Sequence, residues 1–297
     1  MLATLAALLA AVTSVADPQT APADPPAAPG NSQVAPADPP KPTPDQPDII
    51  VEAERHLPRK AIDIYVGEVT QYAEFQIPRF HEPICPVVIG MDDRYAGYIV
   101  ERIKTIARQL KLRVAPTAKC DANLVVVFAV DGAAFVRDVR AKRPDWLAGM
   151  FTPDVDRLAR PGQPARAWSA TSIRNEDGQP MAGGVMIVKS ASILREPTRQ
   201  YLDASFVVIE QAAATGLTLR QLADYAAMRG LARTREPAPG SGVKTILGLF
   251  DRTTTAHAGG ITSTDFAYLQ ALYARKGEES GVQERGRIAR RIRKGQE

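Results

Sequence analysis

Glu210 is the residue of this chain whose setting points most directly to chemistry. Phe206, Val207, Val208 and Ile209 precede it, Ala212 to Ala214 follow, and the run stops at Gly216-Leu217. Read at a period of 3.6, these residues predict an apolar helix with one carboxylate and a glycine at its end. A carboxylate in such surroundings has two uses. It acts as a general base where a metal or substrate lies beside it. Otherwise it needs a partner, because an unpaired charge in an apolar setting is costly. Gln211, Arg220 and Arg174 are the expected partners.

Other chemistries find little support. His56, His81 and His257 have no ligand spacing to one another or to Cys85 and Cys120, so no zinc site of another design is expected. The sequence contains no Gly-x-Ser-x-Gly elbow, Ser-x-x-Lys pair, P-loop or dinucleotide fingerprint, and no cofactor is expected. Gly183-Gly184 and Gly259-Gly260 read as turns.

From Tyr201 to Tyr273 the order of short motifs resembles the zincin metalloproteases. Those enzymes carry His-Glu-x-x-His, often continued by x-x-Gly, on a helix that follows a sheet edge. The two histidines share one helical face and hold zinc, and the glutamate polarises the bound water. With Gly216 on the motif glycine, the glutamate falls on Glu210 and the histidine positions fall on Ile209 and Ala213. A third ligand position falls on Leu219. None of these three side chains has a lone pair to offer. Thr245-Ile246-Leu247-Gly248-Leu249-Phe250-Asp251 stands where zincins carry a Ser-Ile-Met-like turn below the metal. Ile261 to Asp265, then Leu269, Leu272 and Tyr273, is similar to their closing helix. Thr262 would cap it, with Asp265 three residues on.

The combination resembles a family of uncharacterised secreted bacterial proteins with a zincin-like core and a degenerate motif. The resemblance implies a zincin-like layout in the C-terminal half, no bound metal, and a residual motif of Glu210 and Gly216 without catalytic residues. It implies an inactive binding or structural module whose partner the sequence leaves open, a peptide and an envelope component being the candidates. The alternative is an atypical metallopeptidase, or another hydrolase using Glu210 with Asp224 or Asp251.

The elements that must position these residues give an α+β fold, a mixed sheet packed by helices. Ile99, Ile103, Ile106 and Leu110 form one apolar face of a helix over 95–112. Residues 85–90 and 123–130 read as buried strands. A helix over 133–143 stops at Pro144. Strands 165–173 and 184–190 flank Asn175-Glu176-Asp177-Gly178 and predict a hairpin. Thr218 and Gln221 form a capping box that opens a helix over 219–231.

The ends of the chain carry different signals. Residues 1–16 read as a secretory signal, an apolar run closed by Ser14-Val15-Ala16, although no Lys or Arg precedes it. Residues 17–47 hold 11 of the 24 prolines and repeat Ala-Pro-Ala-Asp-Pro-Pro, so they read as a disordered spacer. The folded domain is expected over 48–276, opening with a strand at 48–52, and a basic tail over 277–297. The net charge is +4, and the residues from Gln283 onward, with six basic and two acidic side chains, account for all of it. A neutral body argues against nucleic acid. The tail is left as a contact for anionic membrane. In an exported protein Cys85 and Cys120 are expected to pair, which places the chain in the periplasm or outside the cell.

Overall fold

The computed structural model describes residues 57–72, 76–116, 120–180, 186–188, 196–239, 242–254 and 256–296. They belong to one compact unit. At its centre is a four-stranded sheet in the order β1-β2-β4-β3. Its strands are β1 (Pro86–Ile89), β2 (Leu124–Ala129), β3 (Ala165–Asn175) and β4 (Thr198–Glu210). β1, β2 and β4 run parallel, and β3 pairs antiparallel with β4 at the edge. The expected class, α+β with a mixed sheet packed by helices, is the class observed.

Helices cover both faces of this sheet, which is why β2 is apolar at every position. On one face lie α2 (Asp93–Gln109) and α6 (Leu219–Leu231), packed on each other and on the sheet. α6 presses so closely that a Cβ built on Gly230 would stand 3.0 Å from Leu124 Cδ1. On the other face, Val125, Val127, Phe206 and Val208 meet Val136 and Val139 of α3 (Gly132–Lys142). Leu147 of a 3-10 turn (Pro144–Leu147), Val155 of α4 (Thr152–Leu158) and Trp168 complete that layer. Trp146 and Trp168 stack on Phe206 with ring centres 4.9 and 5.1 Å away.

Residues 206–210 are strand, not the predicted helix. Phe206 to Ile209 fill the C-terminal half of β4, and only Gln211–Ala214 form a single helical turn, α5. The reason lies in the layering: a strand buried on both sides shows no alternation, and β-branched Val207, Val208 and Ile209 suit it better than a helix. The turn at Asn175–Gly178 forms as expected, with Asn175 Oδ1 accepting from the N–H groups of Asp177 (3.1 Å) and Gln179 (2.8 Å). The strand antiparallel to β3, however, is β4. Of the predicted partner 184–190, the described residues 186–188 are not strand, and the others lie outside the described residues. So do residues 1–56, with the expected signal, spacer and strand at 48–52.

The C-terminal segment is also more than a tail. Gly281–Lys294 forms helix α8, opened by a capping box of Ser280 and Gln283. It packs on α1 (Arg59–Val69) and α7 (Ser263–Tyr273), burying Ile288 and Ile292. Its Glu284 is 1 % exposed and ion-paired with the equally buried Arg79. Arg79 also donates to the carbonyls of Leu272 (2.6 Å) and Arg275 (2.8 Å). Cys85 and Cys120 form a disulfide with Cα atoms 6.1 Å apart. The bond joins residues 35 apart in sequence, and closing such a loop stabilises by about 4 kcal/mol in the chain-entropy model. Among the described residues, no helix is long and apolar enough to cross a membrane.

Removing one partner of a buried pair leaves the other charged and desolvated. Glu284→Ala is therefore expected to lower stability by about 3 kcal/mol. Lys294→Ala, at the exposed end of the same helix, should change it by less than about 0.5 kcal/mol. Urea midpoints at constant m-value measure both. A midpoint for Glu284→Ala equal to that of the parent would return 277–297 to the status of a tail.

Candidate functional site

The structure separates the residues that the motif brought together. Ile209 faces the α2/α6 side from within β4, pairs with Phe128 and Ala165 in the ladder, and is fully buried. Ala213 is half-buried in α5. The two share no helical face and cannot act as an i, i+4 pair. Gly216 follows in an exposed turn at φ 82°, a conformation that favours glycine. Leu219 opens α6.

Glu210 ends β4 on the opposite side of the sheet from Ile209. Its Oε1 accepts from Arg166 Nη1 at 3.0 Å. Arg166 is 1 % exposed, and its guanidinium also donates to the carbonyls of Leu158, Gln163 and Arg160 at 2.9 to 3.0 Å. Glu210 is thus the countercharge of a buried arginine on β3. None of the expected partners fills that role. Gln211 donates to the carbonyls of Gly90 and Phe128, Arg174 pairs with Asp203, and Arg220 lies beside Asp224.

The helix that follows the central strand is α6. It carries Ala223, Asp224, Ala227 and Gly230, a spacing of i, i+1, i+4 and i+7. Both alanines are fully buried. Asp224 is too, and its carboxylate is fully engaged. Arg102 of α2 donates through Nε to Oδ1 (2.7 Å) and through Nη2 to Oδ2 (3.1 Å), and the Ile261 N–H reaches Oδ2 at 2.8 Å. A Cβ on Gly260 would stand 2.6 Å from that Oδ2, so Gly260 marks a close approach rather than only a turn. Asp224 and Glu210 lie on opposite faces of the sheet, so of the two aspartates considered beside Glu210 in a hydrolase, Asp224 is not its neighbour.

The turn Thr245–Asp251 and helix α7 are joined by a second buried carboxylate. Asp265 accepts from Tyr65 Oη (2.7 Å), the Ile246 N–H (2.8 Å), the Thr262 N–H (3.1 Å), Thr262 Oγ1 (2.9 Å) and Thr245 Oγ1. Burial pushes its pKa up, while the same donors pull it down. The capping box expected at Thr218/Gln221 and the N-cap expected at Thr262 are both present, the latter as a capping box with Asp265.

An open cleft of about 420 Å³ lies between this turn and its neighbouring loops. Lys244, Thr245, Asp251, Thr253, Thr254 and His257 supply its polar lining. Nδ1 of His257 is 3.1 Å from the Gly248 carbonyl, which makes Nδ1 the donor. Hydrogen bonds from Thr253 hold the Asp251 carboxylate below its ordinary pKa. The sequence reading missed this cleft because its residues come from irregular loops without periodicity. The run of hydroxyl residues at 253–254 beside His257 is the signal it left. Among the described residues, no group of three His, Cys, Asp or Glu could hold a metal ion.

His81 lies elsewhere, stacked on Tyr201 with ring centres 4.1 Å apart. Burial first, then the charges of Arg79, Arg199, Arg174 and Lys276, hold its pKa down to about 4.

Two outcomes follow. Asp224→Ala removes a fully buried acceptor shared by Arg102 and the Ile261 N–H and is expected to lower stability by about 3 to 5 kcal/mol. Glu210→Ala, where Arg166 keeps its carbonyl acceptors, should lose only about 1 to 2 kcal/mol; equal losses in urea unfolding would contradict the assignment. The second outcome concerns pH. Below the usual histidine pKa of about 6.5 the unfolded chain takes up a proton that folded His81 refuses down to about 4. Stability therefore falls as pH drops through that window, by on the order of 2 kcal/mol after allowing for partial exposure. His81→Phe keeps the stack and should flatten this slope; an unchanged slope would assign it to other groups.

No protein-family model, no curated protein and no solved structure matches this chain.

Proposed function

We propose that the chain is an exported, non-catalytic binding module on a zincin-like scaffold, with the loop cleft beside the Thr245–Asp251 turn as its ligand site. The observation that carries this reading is the make-up of α6. In a zincin the helix behind the central strand holds the metal. Here α6 carries buried Ala223 and Ala227 beside an aspartate ion-paired with Arg102, and no His, Cys or Glu. Alanine has no lone pair, and a carboxylate whose oxygens are taken up by the protein is not free to act as a base. The motif register itself, at residues 209–216, carries Ile209 and Ala213 at the ligand positions, which likewise offer no lone pair. Export is supported by the apolar run at the start of the sequence and by the Cys85–Cys120 bond, which suits an oxidising compartment. A polar cleft of this size suits a short peptide segment or another small envelope component.

The test is made on protein purified from the envelope fraction of its host. The expected result is a mature chain that begins at Asp17, with no stoichiometric metal and no peptide hydrolysis above background. Stoichiometric metal, together with peptidase activity lost in Glu210→Ala, would overturn the non-catalytic part. Cytoplasmic retention with both cysteines reduced would overturn export.

A further inference from the structure

We propose that the start of α1 and the end of α8 form a cationic face that docks on a bilayer carrying anionic phospholipid headgroups. The two helix ends are neighbours. The Leu57 N–H donates to Gln296 Oε1 at 3.3 Å, and Arg293 is ion-paired with Asp63. Lys60 of α1 and Arg290, Arg291 and Lys294 of α8 are all exposed. None of these four has an acidic partner within ion-pair distance among the described residues. The contrast with nearby and distant cations is clear. Arg287 is paired with Glu279 and Glu284, and on α3 Arg140 and Lys142 are paired with Asp156 and Asp138.

Helix electrostatics account for only part of the cluster. Cations in the last turn of α8 suit the negative end of its dipole. Lys60 does not, because it stands in the first turn of α1, which holds no acidic residue. A cation there opposes the dipole, and an anionic surface would offset that penalty. One turn after Lys60, Ile64 is 42 % exposed. An exposed apolar side chain one turn from a cation suits the boundary between headgroups and acyl chains, and a nucleic-acid backbone has no use for it. The inference stands apart from the proposed cleft and from export.

The experiment is co-sedimentation of the full chain with vesicles of phosphatidylcholine, with or without roughly one third phosphatidylglycerol. The readout is the excess bound to the anionic vesicles. This excess is expected to vanish at about 0.5 M salt. It should fall at least about tenfold in the variant Arg290→Glu, Arg291→Glu, Lys294→Glu. A charge-matched variant on α3, Arg137→Glu, Arg140→Glu, Lys142→Glu, should bind like the parent. Lys60→Glu is the second probe: it should raise the urea midpoint slightly and weaken binding about fivefold, a pairing that misfolding could not produce. No excess on anionic vesicles, an equal loss in the α3 variant, or tighter binding to duplex DNA than to the vesicles would each overturn the proposal.

Discussion

Both faces of β4 are covered by helices, and much of the rest of this chain follows from that constraint. Phe206 and Val208 enter the tryptophan layer above α3, while Val207 and Ile209 face α2 and α6. No position from 206 to 209 is free to carry a charge. Glu210 is the first residue at which the strand reaches the rim, and there its carboxylate finds Arg166. A glutamate one residue earlier would sit in an apolar layer without a donor, at a penalty of several kcal/mol. The position of the acid is therefore set by sheet burial.

Three buried arginines pin the layers together by one principle. Arg102 ties α2 to α6 through Asp224, Arg166 ties β3 to β4 through Glu210, and Arg79 ties the segment before β1 to α8 through Glu284. Desolvating a pair consumes most of its Coulomb energy, so such pairs add little net stability. Their effect is on specificity, because a shifted helix would leave an arginine without its acceptors. Each guanidinium also has neighbours that fix its plane, as the three carbonyls around Arg166 do. Asp265 does the same with uncharged donors, holding the Thr245 turn against α1 and α7.

How much of this was legible in the sequence depended on whether the signal was local. The Ile99, Ile103 and Ile106 stripe, the capping boxes at Thr218 and Thr262, and the apolar run of β2 are local, and all four elements stand where they were read. The strand nature of 206–210 was hidden because two-sided burial erases alternation. The antiparallel partner of β3 was hidden because pairing is not local: 184–190 has a strand's composition, but β4 has the place beside β2. In α8 the six basic side chains masked two buried isoleucines and a buried glutamate. The site suffered most. Glu210 and Asp224 are both single acids in apolar stretches, and which one lies on the helix behind the sheet cannot be known until β4 is assigned.

That assignment also changes what the alanines of α6 mean. Ala223 and Ala227 can be read as ligands that were lost, or as side chains that packing demands. The second demand is visible. From Leu222 to Leu231 every residue of α6 is buried, and Gly230 brings the helix so close to Leu124 that a methyl group there would push the leucine aside. A metal-binding helix needs the opposite, an open side along which two imidazoles and a substrate can stand. A helix sunk this deep has no such side, and forcing imidazoles into it would overpack the core. Its carboxylate must then be neutralised by the protein itself, which Arg102 does from α2. Asp224 is on this account a strut, and under the proposed reading ligand contact falls to the loops around Lys244, Asp251, Thr253, Thr254 and His257, whose side chains line an open cleft.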